Sequence, residues 1–281
     1  MSKISVIGIA GESVFLSVER FGKTGETTVA TSYHSELGGK GFNQAIAAAR
    51  FGVDVSFLGA AYIEDIKHFT DIAERCGVTA RFVGKCKRSP YAVITTDKNG
   101  DNQVCVYGGA QLEEKDVEAF ESEIRSSDIL LLNNETPYSV NKKALEIAKA
   151  NGVRVILNPA PARKCDKEFL DDIFIFTPNE HETEGLEEYR NVIVTLGDKG
   201  CFIRENGEHI SAEKLSSVVD TTGAGDTFNG ILAACIANGE SIRSACEKAN
   251  VGAAIKVGRQ YILESIPSRE EIEKFMEGRN G

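Results

Sequence analysis

Asp220-Thr221-Thr222-Gly223-Ala224-Gly225-Asp226-Thr227-Phe228-Asn229-Gly230 sets small residues in a turn, with an acid at its far edge and the apolar run Ile231 to Ala237 beyond it. Asn238-Gly239 then supplies a left-handed stop, so the spacing predicts a helix over 224–237 with Gly223 to Asp226 at its first turn. The first amides of a helix lack an intrahelical acceptor, and the helix dipole adds partial positive charge beside them. Glycines let an anion approach the main chain closely, which suits the charge that builds up during phosphoryl transfer. Asp226 is placed to take a proton from a substrate hydroxyl, a role worth roughly two to four powers of ten in rate. Taken alone, Gly-Ala-Gly-Asp also reads as an ordinary helix cap. The turn lacks the Gly-Lys-Ser/Thr ending of a P-loop, and no first strand and ribose-binding acid frame it as a dinucleotide fingerprint.

The elements that must position this turn follow from the rest of the chain. Its 281 residues, 42% of them hydrophobic, suffice for one large α/β domain spanning 1–281. Lys3 to Gly8 reads as a buried strand, and 13–37 alternates apolar and polar side chains, with Val14, Leu16 and Val18 on one face. Gly38-Gly39-Lys40-Gly41 opens a helix of small residues, and a strand at Val55 to Leu58 follows. A helix near Asp65 to Cys76 and a strand at Val78 to Val83 come next. Tyr91 to Thr96 and Gln103 to Tyr107 flank Lys98-Asn99-Gly100-Asp101 as a hairpin.

Beyond residue 113, helices at 114–125 and 139–150 alternate with strands at Ile129 to Leu132, Arg154 to Leu157, Ile173 to Thr177 and Val192 to Leu196. That order implies a mainly parallel sheet between helices, with final helices at 224–237, 241–256 and 268–277. Ligands of such sheets bind at the carboxyl ends of strands, where Asn133 to Glu135, Asn158, Asn179-Glu180 and Gly197 fall.

A net charge of −10 disfavours nucleic acid and anionic membrane as partners, so a polyanion must be met locally by amides, lysines or metal. Without a membrane-length apolar run or a secretory signal, the expected location is the cytoplasm. Seven cysteines form no Cys-x-x-Cys pair, and four histidines show no metal-ligand spacing. Hydrolytic and zinc chemistry therefore drop away.

Gly38-Gly39-Lys40-Gly41-Phe42-Asn43-Gln44-Ala45 and Asp220 to Gly230 together resemble the paired signatures of the ribokinase family, the PfkB-type carbohydrate kinases. Asn158-Pro159-Ala160-Pro161-Ala162-Arg163, Thr177 to Glu182 and Ile193 to Gly197 occur in that family's order. The resemblance implies a three-layer α/β/α sandwich with a small β-sheet lid, here from segments 13–37 and 89–108. It implies transfer of the γ-phosphate of ATP to a small sugar or nucleoside, with Mg²⁺. Asp226 then corresponds to the base, and Gly223, Ala224 and Gly225 to the anion hole. Asn179 and Glu182 match an Asn-x-x-Glu pair that holds Mg²⁺ mainly through water. Thr195, Leu196, Gly197, Asp198, Lys199, Gly200 and Asn250 lie at nucleotide-contacting positions, and Gly39, Lys40, Asn43 and Glu135 at sugar-contacting ones.

The match fails at the acceptor end. An Asn-x-Asp that binds sugar in the family is Gly11-Glu12-Ser13 here, and Tyr62-Ile63-Glu64 replaces a Gly-x-Asp. Losing a charged acceptor costs about 1.5 to 3 kcal/mol if the same sugar is bound. Lys256 to Ser265 aligns with a monovalent-cation loop in which Tyr261 replaces a usual glycine, while Asp220 and Thr222 keep the other half. Stimulation by K⁺ is thus expected. Between Glu182 and Val192 only about two helical turns fit, so one flank of the sheet is expected to be thin. A ribose-like sugar is the leading acceptor, a nucleoside or other polyol the second; a non-catalytic sugar or nucleotide sensor is the reading from another class. Exposed lid edges point to a homodimer.

Overall fold

The structure, a computed structural model, describes residues 1–214 and 217–278. The chain runs β1 (Lys3–Ile7), β2 (Gly11–Val18), β3 (Ala30–Gly38), α1 (Lys40–Arg50), β4 (Asp54–Tyr62), α2 (Ile66–Arg75) and β5 (Thr79–Lys85). Next come β6 (Tyr91–Thr96), β7 (Asn102–Tyr107), α3 (Glu114–Glu118), α4 (Glu121–Arg125), β8 (Ile129–Asn133), α5 (Tyr138–Ala150), β9 (Arg154–Asn158) and α6 (Lys167–Asp171). The last part comprises β10 (Ile175–Phe176), β11 (Ile193–Thr195), β12 (Cys201–Ile203), β13 (Glu208–Ile210), α7 (Ala224–Ala237), α8 (Ile242–Val257) and α9 (Arg269–Glu277).

A six-stranded parallel sheet in the order β10-β9-β8-β1-β4-β5 forms the middle layer. Ile129 to Leu132 is an unbroken apolar run because both faces of β8 are covered. Ile129 and Leu131 pack with α1, α7 and α8 on one side, and Leu130 and Leu132 with α3, α4 and α5 on the other. The same switch occurs between Val6 and Ile7 in β1. The result is the expected α/β/α sandwich. All seven cysteines are free thiols, and no helix among the described residues is long and apolar enough to cross a membrane.

The second sheet, in the order β3-β2-β6-β7, is the expected lid, with β2 and β6 parallel and the outer pairs antiparallel. In the β6–β7 hairpin, the Asp97 carboxylate accepts from the amides of Asn99 and Asp101 and so fixes the turn.

Two expectations need correction. The helix at 114–125 is two short helices, broken where Phe120 is drawn into the core. The strand at Ile173 to Thr177 shrinks to Ile175–Phe176, because Ile173 N–H is spent on Leu170 O in the turn that ends α6. Segment 183–192 holds turns but no helix; Arg204 donates to the carbonyls of Leu186 and Tyr189 and ties it down. That flank of the sheet is accordingly thin. Parallel bridges from Phe176 to Val192 and from Asn179 to Thr195 join β11 to the central sheet's edge, and β12 and β13 pair on in antiparallel order beyond it.

Candidate active site

Gly223 caps α7 in the left-handed region, with φ 77°, which turns the chain sharply into the helix. Among the described residues, the amides of Gly223, Gly225 and Asp226 find no protein acceptor, whereas Ala224 N–H donates to Thr221 O at 3.2 Å. Three of the four donors at this mouth thus remain open to an incoming anion.

Asp226 is buried yet lines two adjoining cavities, of about 430 and about 920 Å³, which also share Lys40, Thr221 and Gly223. Its carboxylate is held by α1: Asn43 Nδ2 donates to Oδ2 at 3.0 Å and Gln44 Nε2 to Oδ1 at 3.1 Å. Close packing of α1 on α7 makes this reach feasible, since a Cβ on Gly230 would lie 2.3 Å from Gln44 O. Gln44 also donates to Asn158 Oδ1 at 3.2 Å, and Asn158 to Thr177 O at 2.8 Å, which locks the carboxylate to the ends of β9 and β10. Asn229 bonds Thr177 and Gly225 O and fixes α7 in the same frame. Gln44 stands in the Gly38 to Ala45 motif and Asn158 at the carboxyl edge of the sheet, with no sign in the sequence that they hold Asp226. Their signal was adjacency to motif residues, and only the helix packing reveals what they hold.

The smaller cavity brings together Gly11, Ser13, Gly39, Lys40, Asn43 and Glu135 in its lining, and adds Thr222. Asn43 Oδ1 is buried without a protein partner and can accept from a ligand hydroxyl. Glu135 Oε2 accepts from Lys40 N–H at 2.8 Å. Burial first, then the Asp226 charge, push the Glu135 carboxyl up to about 7 against the pull of Lys40. Conversely, Asp226, then Glu135 and Glu182, raise Lys40 above the ordinary lysine range although burial opposes them. The Glu135 loop is anchored by Arg163, which donates to the carbonyls of Asn134 and Thr136. The lid closes the cavity with an apolar wall of Ala92, Ile94, Val104 and Val106. Ser13 pairs with Ala92 and so sits on that wall's face, while Glu12, exposed, stands at the rim.

Asn179, Glu182, Thr195, Gly197, Asp198, Gly200, Asn250 and the α7 mouth line the larger cavity. Glu182 Oε2 accepts from Asn179 N–H at 3.0 Å, and Asn179 Oδ1 from His181 N–H at 2.8 Å. Asn250 Nδ2 ties α8 to the end of β13 through Ile210 O at 3.1 Å. Two expected positions fall away from the wall: Leu196 packs into the core and Lys199 is exposed. Ala253, Ala254 and Val257 on α8, with Val218, supply an apolar surface that the sequence did not single out.

Of the two expected monovalent-cation ligands, Asp220 and Thr222, Asp220 has each of its three oxygens already accepting or beside a donor. Oδ1 accepts from Thr222 N–H at 2.9 Å, Oδ2 from Tyr261 N–H at 3.1 Å, and the main-chain oxygen from Lys256 Nζ at 2.7 Å. Tyr261 takes φ 64° where a glycine would be at ease, and its ring stacks on His34 of the lid at 3.6 Å.

Comparison with known proteins agrees with this geometry. Residues 1–269 match the model of the pfkB family carbohydrate kinases. The ribokinase of Haemophilus influenzae is 35% identical over 98% of this chain and 98% of its own. The ribokinase of Thermotoga maritima superposes with a TM-score of 0.86 at 33% identity, covering 99% of this chain and 100% of that one. That of Arabidopsis thaliana, solved with ribose and ATP, gives 0.83 at 30% identity over 98% of both chains. The chain therefore belongs to the pfkB family and is an ATP-dependent carbohydrate kinase.

Proposed function

We propose that the chain transfers the γ-phosphate of ATP to a hydroxyl of a small, ribose-like sugar held in the 430 Å³ cavity. The observation that carries this reading is the position of Asp226, which lines both cavities beside three amides without protein acceptors. In-line transfer needs the hydroxyl and the γ-phosphorus aligned, and charge on the phosphoryl oxygens neutralised. The α7 mouth supplies donors for that charge, the free amides of Gly223, Gly225 and Asp226, with Ala224 in the turn between them. Lys40 lines both cavities and adds a cation where the transferring group would pass.

Asp226, held at both oxygens by Asn43 and Gln44, orients the hydroxyl. A carboxylate is too weak a base to deprotonate an alcohol in the ground state, so proton uptake accompanies P–O bond formation. Closure of the lid would exclude water as a competing acceptor.

Mg²⁺ suits the donors present. No group of three His, Cys, Asp or Glu is assembled among the described residues, so a divalent cation would draw most of its oxygens from phosphate and water, which Mg²⁺ prefers. Glu182 and Asn179 would hold it from the cavity wall, and when bound it would neutralise the phosphate oxygens.

A nucleoside is the second reading, supported by the apolar lid wall and by Gly11 and Ser13 in place of polar sugar ligands. An assay of ADP release against pentoses, hexoses and nucleosides decides. Turnover is expected to be highest with a pentose; a preference for nucleosides would shift the acceptor, and silence across the panel would reject the kinase reading for a sensor. The unpaired edges of β3 and β7, with Tyr33 and Tyr107 exposed, support a lid-mediated homodimer, which a monomer in sedimentation equilibrium would refute.

A further inference from the structure

Lys256 lies near the end of α8 with its side chain wholly buried, a costly place for an ammonium group unless oxygens replace its water. They do. Nζ donates to Asp220 O at 2.7 Å and stands 3.7 Å from Asp220 Oδ2. Burial lowers the Lys256 pKa, and the charges of Asp220 and then Glu36 oppose that shift. Glu36 belongs to lid strand β3, and its carboxylate accepts from Ile262 N–H at 2.8 Å and Leu263 N–H at 2.9 Å. One buried cation thus sits among oxygens that join the approach to α7, the loop after α8 and the lid.

The position has a direct consequence for the Gly223 turn. Asp220 Oδ1 holds Thr222 N–H, and Thr221 O holds Ala224 N–H, so the orientation of Asp220 sets the run of chain that ends at the open amides. An unneutralised Asp220 carboxylate would be repelled by any phosphate arriving there. A monovalent cation on the Asp220 oxygens would cure both problems, and family resemblance leads one to expect K⁺ there. In this chain, however, an ammonium is covalently delivered to the same main-chain oxygen. A K⁺ ion sharing that oxygen would stand beside a like charge with no water between them.

We propose that Lys256 is a tethered monovalent cation: its ammonium neutralises Asp220 and fixes the turn before α7, so the protein needs no K⁺. The residue acts through Asp220 and the turn, and is a positioning residue. The proposal rests on the kinase reading for its activity arm, while a melting arm is independent of it.

Wild-type turnover and melting temperature are compared in KCl and in tetramethylammonium chloride at equal ionic strength, and both should be the same in the two salts. Lys256→Ala opens room for an ion; its turnover should fall about tenfold or more in tetramethylammonium, and K⁺ should restore most of it and raise its melting temperature. Lys256→Met, which fills the space without charge, should be slow in both salts. A several-fold stimulation of the wild type by K⁺, or a folded Lys256→Ala protein indifferent to K⁺, overturns the proposal. If neither variant folds, the wild-type comparison alone decides, since a K⁺-dependent rise in melting temperature would reveal a free-ion site. If no acceptor is turned over, the kinase reading fails while the melting comparison still tests Lys256.

Discussion

The two halves of the cleft around Asp226 are built from different materials. The larger cavity offers a ligand main-chain amides at the α7 mouth, carboxylates that include Glu182, and the small apolar residues of α8. The smaller one meets its ligand with side chains, from α1, from β2, from the loop after β8 and from the lid. A main-chain receptor depends on where the helix begins and on what keeps side chains out of the way. A side-chain receptor depends on which residue faces inward at each position, so it can change acceptor without disturbing the transfer end. Gly11 and Ser13 are such a change.

The strongest way to break this division is at Asp226, one of the four residues both halves share. Asp226→Asn keeps the size of the side chain but removes its capacity to take a proton, and sets an amide against the donors Asn43 Nδ2 and Gln44 Nε2. Turnover should fall by about a thousandfold or more. Nucleotide affinity, measured by titration calorimetry, should stay within about threefold of wild type because the amides remain. Full residual turnover would remove Asp226 from the chemistry, and a matching loss of nucleotide binding would show that the halves are not separable.

A second test, smaller in effect, lies wholly on the acceptor side. Glu135 has its carboxyl pushed up to about 7, chiefly by burial, from an ordinary 4.5. Below pH 4.5 the group is protonated in both the folded and the unfolded chain, so it adds no pH dependence. As pH rises from 4.5 towards 7 the unfolded chain gives up the proton first, so stability falls across that window and levels off above it. The full loss is about 3 kcal/mol at 1.36 kcal/mol per pKa unit. Glu135→Gln should erase most of that slope, leaving the variant more stable than wild type above pH 7 in urea unfolding. Parallel curves for the two proteins would mean that Glu135 ionises freely at its post beside Lys40.

The contrast between the halves also explains what could be read from residue order. The α7 mouth was legible because a main-chain site is spelled by small residues and a helix stop, both local signals. The sheet was legible because strands covered on both faces must be apolar throughout. The break at Phe120 was not, since it depends on a core contact outside the window that suggested a helix at 114–125. Gln44 beside Asn43 carries no mark of a carboxylate holder until α7 is brought against α1. Lys199 and Leu196 sat at the right chain positions, but the tight turn at Gly197 to Gly200 sends neither to the cavity wall. Lys256 opens the segment aligned with the monovalent-cation loop, but nothing beside it in the chain marks where its own ammonium goes. Its destination depends on Asp220, 36 residues away in the chain.

The finest test of the acceptor half is to put back a charged ligand. Of the two altered positions only 13 is open to it: a Cβ at Gly11 would lie 2.2 Å from Pro90 O, so an asparagine there would force β2 away from β6. Ser13 is buried on the cavity face opposite Ala92. In Ser13→Asp a carboxylate would join Glu12, Glu135 and Asp226 around Lys40, the one cation that lines this cavity among the described residues. Their repulsion subtracts from the 1.5 to 3 kcal/mol or so that a charged hydrogen bond can contribute. A pentose KM about tenfold lower, with kcat nearly unchanged, is therefore expected. An acceptor whose apolar end rests on Val104 and Val106 offers no hydroxyl to that carboxylate and should bind no better. A pentose KM that stays put or rises would mean that the sugar's hydroxyls do not pass over residue 13, and the acceptor would have to be sought among molecules that meet the lid with an apolar face.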